Sequence, residues 1–152
     1  MQVAEVMKAN VVTARPGDTF ADVARLLHDN HISSVVVLEG DALAGIVTER
    51  DLVNVVSEGL DPRTIEIGNR MTRELDTVNS KTDIGEVAEH MARLQIRHLP
   101  VIDRGALVGI VSIRDLTTWA VEEISGGHEL ADLHRSHTTL SAAAKINRSS
   151  AS

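Results

Sequence analysis

The sequence predicts an α/β fold made of two copies of one strand–helix–strand–strand–helix unit facing each other. Three observations carry this expectation: an internal repeat, a fixed order of helical and β-branched apolar runs inside each copy, and an aliphatic composition. Displaced by 64 residues, Met7 to Leu52 lies on Met71 to Leu116 without a gap, and fourteen of 46 positions are identical. The best stretch pairs Ala42-Leu43-Ala44-Gly45-Ile46-Val47-Thr48-Glu49-Arg50-Asp51-Leu52 with Ala106-Leu107-Val108-Gly109-Ile110-Val111-Ser112-Ile113-Arg114-Asp115-Leu116. Self-similarity at a fixed offset is the mark of a repeated supersecondary unit.

The elements follow in the same order in each copy. After a short leading strand, Phe20, Val23, Ala24 and Leu27 recur at helical spacing, as do Ile84, Val87, Ala88 and Met91. Asp18 and Thr82 are the expected N-caps. Val35 to Leu38 and Leu43 to Thr48 are apolar runs around a Gly40-Asp41 turn, which predicts a hairpin. Leu99 to Ile102 and Leu107 to Ser112 repeat it around Arg104-Gly105. A closing helix follows, with Leu52, Val55 and Val56 in the first copy and Leu116, Trp119 and Ala120 in the second. Pro62 marks the linker, because proline disfavours helix at the residue before it. Alternation predicts a short strand over Thr64 to Ile67. The expected organisation is a first unit over 1–60, a second over 61–125, and an extension over 126–152 holding a weak helix and then a frayed tail.

Composition narrows the function. Of 152 residues, 43% are hydrophobic and 24% charged, with one Phe, one Trp, no Tyr and no Cys. A net charge of -7 is the wrong sign for a nucleic-acid partner, and aromatic stacking platforms are lacking. Without cysteine, thiolate catalysis and thiolate metal sites are excluded. No apolar run approaches the roughly 18 residues of a membrane span, and Met1 to Asn10 has no signal-peptide core. The expectation is a cytoplasmic protein with neither a nucleic-acid nor a membrane partner.

The repeated Leu-x-Gly-Ile-Val-Thr/Ser-x-x-Asp-Leu, together with Ile-Arg-His-Leu-Pro-Val-Ile-Asp over 96–103, resembles the CBS domain over about residues 1 to 125. The resemblance implies β-α-β-β-α CBS units, two of them packed as a pseudo-two-fold Bateman module. It also implies clefts for adenosine-containing ligands, a regulatory role and pairing of modules into a homodimer. The length matches the free-standing type, which acts on an unidentified regulated protein.

On that reading, Thr48 with Asp51, and Ser112 with Asp115, bring a hydroxyl and a carboxylate into one cleft, where charge-assisted bonds to ribose hydroxyls are strong. The same Ser/Thr-x-x-Asp spacing also caps a helix, and the two roles are compatible. Arg97 and His98 stand where family members contact phosphate; the first copy has Ser33 and Ser34 there. Arg50 and Arg114 are further phosphate candidates, or surface ion-pair partners. Family precedent puts adenine against Thr64, Ile65 and Ile67 for one cleft and Val3 and Met7 for the other; ordinary core strand is the competing reading.

His134 and His137, with His128 nearby, have no convincing carboxylate companion, so no metal site is expected. No catalytic motif is present and no cofactor is expected beyond the nucleotide as regulatory ligand. The leading function is a non-enzymatic adenine-nucleotide sensor working by population shift. The alternative is an interaction protein that uses the fold for dimerisation and docking with empty clefts. An enzyme acting on an adenosine substrate is the third.

Overall fold

The computed structural model describes residues 1–126. They fall into two bodies, residues 1–113 and a second beginning at Arg114. The extension with its histidines lies outside the described residues.

The first copy runs β1 (Thr13–Ala14), α1 (Phe20–Asn30), β2 (Ser34–Glu39), β3 (Ala42–Thr48) and α2 (Glu49–Ser57). The second runs α3 (Ile84–Leu94), β4 (His98–Asp103), β5 (Ala106–Ser112) and α4 (Ile113–Ile124). The predicted order of helices and hairpins is therefore present. Both helix starts fall one residue later than expected. Thr19 caps α1, because it and Asp22 close a reciprocal box: Asp22 N–H donates to Thr19 Oγ1 at 3.2 Å, and Thr19 N–H donates to Asp22 Oδ2 at 2.9 Å. Asp83 caps α3 by accepting from Gly85 N–H at 2.8 Å.

The hairpins match residue for residue. Ser34 faces Thr48 across β2–β3 and His98 faces Ser112 across β4–β5, with irregularities at Val37/Leu38 and Val101/Ile102. They differ at the leading strand. In the first copy β1 runs parallel to β2, and Val36 N–H donates to Val12 C=O at 3.3 Å. In the second, Pro100 occupies the place of Val36 and has no N–H. The equivalent bond to the Asp76 carbonyl cannot form, and the strand shrinks to one parallel bridge, Val78 with Val101.

Each copy's leading residues pair with the other copy. Lys8 bonds both ways with Ile110, and Thr72 both ways with Ile46, at 2.9–3.0 Å. Val3 N–H donates to Thr82 C=O near the start of α3, and Ile67 N–H to Asp18 C=O near the start of α1. The strand expected over Thr64 to Ile67 is instead a turn, a single bridge from Glu66 to Thr19, and a 3-10 turn over Ile67–Asn69. Packing against α1 overrides the alternating pattern. The first core gathers Phe20, Val23, Leu27, Val35, Val37, Val47 and Val55 with Ile67 and Met71, which follow the linker. Packing therefore does not follow the sequence division at 60/61.

The repeated glycines permit this exchange. A Cβ on Gly45 would stand 2.7 Å from Met71 Sδ and 2.7 Å from the Thr72 carbonyl; on Gly109, 2.6 Å from Met7 Sδ and 3.1 Å from the Lys8 carbonyl. No helix of the described residues is long and apolar enough to cross a membrane.

Candidate functional site

The β3–α2 junction opens on a cavity of about 750 Å³, a volume suited to a small ligand. Its first-copy wall is Ser33, Ile46, Thr48, Glu49, Arg50 and Val53. Its second-copy wall is Thr72, Glu74, Leu75, Asp76, Gln95, Ile96, Arg97 and His98. The strand–helix switch orients the first wall: Thr48 ends β3, and α2 begins with Glu49 N–H donating to Ser33 C=O at 3.1 Å. Ile113 N–H donates to Arg97 C=O in the same way 64 residues on.

Thr48 lines the cavity, while Asp51 stands half-buried one turn into α2 and is not among the lining residues. Asp51 Oδ2 accepts from Thr48 N–H at 2.8 Å and from its hydroxyl at 3.3 Å, so the capping role is present. Among the described residues nothing donates to Oδ1.

The basic pair of the second copy reaches the Thr48 cavity. His98 Nε2 and Ser33 Oγ are 2.8 Å apart, a bond that ties the two copies at the cavity wall. Arg97 and Arg50 have no ion-pair partner among the described residues. Ser34 is buried in β2 and is not among the lining residues. Three carboxylates that sequence reasoning did not single out, Glu49, Glu74 and Asp76, share the lining with the cations.

None of the residues expected around adenine lines this cavity, and Val3 and Met7 were expected at the other cleft. Ile67 and Val3 are fully buried, and Ile65 packs against the first core. Thr64 is exposed and donates its hydroxyl to Asp61 C=O at 3.0 Å. Met7 covers Gly109. The apolar lining comes from Ile46, Val53, Leu75 and Ile96. The 3-10 turn after Glu66 makes Thr72 the residue that pairs with β3. The repeat offset contained that signal, since Lys8 and Thr72 occupy equivalent positions. Ser112 ends β5; in the second body, Asp115 is half-buried in the first turn of α4 and Arg114 is exposed. Among the described residues no cluster of three or more metal-ligating side chains occurs.

The CBS domain family model matches residues 3–58 and 65–122. A Methanopyrus kandleri protein of unassigned function is 36% identical over 119 residues, 76% of this chain and 61% of that protein. The Bacillus subtilis CBS domain-containing protein YhcV is 30% identical over 86% of this chain and 94% of its own length. Among solved structures, the hexameric CBS-CP12 protein of bloom-forming cyanobacteria is 36% identical, with a TM-score of 0.71 over 77% of this chain and 69% of that one. The CBS domain pair of protein MJ0100, in complex with 5′-methylthioadenosine and S-adenosyl-L-methionine, shares the fold at a TM-score of 0.75 and 22% identity. That match covers 81% of this chain and 98% of that one.

Proposed function

Because the chain belongs to the CBS domain family, we propose that it is a non-enzymatic regulatory module that binds an adenine nucleotide (AMP, ADP or ATP) at the Thr48 cavity. One observation carries the reading: Thr48, Ser33, Arg50, Arg97 and His98, drawn from both copies, line one cavity of ligand size. Hydroxyls suit ribose, and two guanidinium groups with no ion-pair partner among the described residues suit phosphate. Ile46, Val53, Leu75 and Ile96 offer an aliphatic surface to the base. The fold accommodates adenosine compounds, as the MJ0100 domain pair does. Signalling follows if ligand and a regulated protein prefer the same conformation. The reading includes a homodimer and a cytoplasmic location. The hexameric cyanobacterial relative supports self-assembly.

Thermal melting with adenosine, AMP and ATP tests the proposal. A ligand at 100 times its Kd adds about 2.7 kcal/mol. For a chain of this size the midpoint should rise by about 5–11 °C. If no adenosine compound moves it, the interaction-protein reading takes over. Exposed Val53 and Val56 on α2 are the observation that favours that second reading. Mass spectrometry of small molecules released from freshly purified, denatured protein would name the ligand directly.

A further inference from the structure

Asp76 lines the proposed nucleotide cavity, and its Oδ1 lies 3.6 Å from Nε2 of His90 on α3. That nitrogen is buried and has no hydrogen-bond partner among the described residues. Arg93 lies 3.2 Å from the other ring nitrogen. If the guanidinium donates there, the neutral ring keeps its proton on Nε2, toward Asp76. The equivalent first-copy residues are Val12 and Leu26, which pack against the core. The second copy thus replaces an apolar contact with a titratable pair. Pro100 removes the ladder bond to the Asp76 carbonyl, while Val78, two residues on, still pairs with Pro100 and Ile102 on β4.

We infer that His90 is a positioning residue for Asp76 and makes the cavity's affinity for phosphate depend on pH. This rests on the nucleotide reading above. With His90 neutral, Asp76 adds its negative charge to those of Glu49 and Glu74, opposite Arg50 and Arg97. Imidazole changes charge between about pH 5 and 8. Protonation turns the 3.6 Å contact into an ion pair, draws Asp76 toward α3 and cancels its field in the cavity. Glu86, Glu89 and Arg93 on α3 are the other charged groups lining the space beside His90, and β4 contributes apolar Ile102.

ATP and adenosine binding measured calorimetrically at pH 8 and pH 6 decides the matter. The ionisation of ATP and of every other side chain is common to all the variants, so the comparison between them isolates His90. The gain in ATP affinity on acidification should be about threefold smaller in His90→Gln than in wild type. Asp76→Asn should bind ATP about threefold tighter than wild type at pH 8 and show the same reduced gain. Adenosine, lacking phosphate, should show no such difference between wild type and His90→Gln. Asp76→Asn leaves His90 in place and decides the question should His90→Gln fail to fold. If wild type binds ATP and the pH profiles of the variants coincide with it, this inference falls alone. If wild type binds no ATP at either pH, the nucleotide reading falls and takes this inference with it.

Discussion

On the proposed reading, one carboxylate, that of Asp51, serves folding and ligand at once. Oδ2 caps α2, and no described residue donates to Oδ1. Asp51→Asn keeps an oxygen for the cap and loses the charge. Loss of a charged hydrogen bond costs roughly 1.5–3 kcal/mol, so nucleotide affinity should drop about 10- to 150-fold while the melting midpoint of the free protein stays close to wild type. Isothermal titration checks it, and wild-type affinity would remove Asp51 from the ribose clamp. Arg97→Ala should shrink the shift produced by ATP more than that produced by adenosine, and high salt should narrow the same gap. Acid stability belongs at this scale too. Thr19, chiefly through its N–H, holds Asp22 below the ordinary carboxylate value. Gly85 N–H, with help from the terminal ammonium, does so for Asp83; Ser80 does so for Asp103, and Arg63 for Asp61. Depressed folded values mean a contribution that is present above the unfolded value of about 3.9 and lost as pH falls through the folded values. The midpoint should therefore drop below about pH 4, and Asp22→Asn should lower it at pH 7 while narrowing the difference between pH 7 and pH 3.

At the scale of elements, Gly45 and Gly109 are spacers for the exchanged leading segments. Gly45→Ala drives a methyl toward the Thr72 carbonyl, a backbone atom, as well as toward the Met71 thioether. Overpacking of this kind costs about 1–3 kcal/mol. Gly109→Ala meets the Lys8 carbonyl at the longer distance, and a flexible methionine can yield, so it should cost less. The order of the two melting midpoints is the test. Helices and hairpins were legible because the apolar period and the turn glycines are local signals. The exchange was not legible: Thr64 to Ile67 alternates like a strand, but Ile67 is buried by α1 and the first core rather than by a ladder. Local pattern is blind to partners as distant in the chain as Thr19 is from Glu66, and tertiary contact overrode it. Pro100 sits inside a run that reads as an ordinary strand, and only the segment beside it shows which bond its missing N–H removes.

For the whole molecule, the residue types at the cavity were legible and their grouping was not. Thr48, Ser33, Arg50, Arg97 and His98 stood out in the sequence, but nothing in it said which copy's hydroxyl Arg97 and His98 would join. The crossing of the copies sets them beside Thr48. The aliphatic lining residues and the three acids escaped because no motif marks them. The proposed homodimer rests on what the first body leaves uncovered. On α2, Val55 is buried and Leu52 packs on the core, whereas Val53 is 62% and Val56 59% exposed. Such side chains gain from burial across a two-fold contact. Light scattering after size exclusion should give twice the chain mass at about 100 µM, since dimer population depends on concentration. Val53 also lines the cavity, so Val56→Glu is the cleaner probe: it places a charge on the exposed face alone and should shift the mass toward monomer. A wild-type monomer at that concentration contradicts the dimer, and a Val56→Glu variant that stays dimeric moves the interface away from α2.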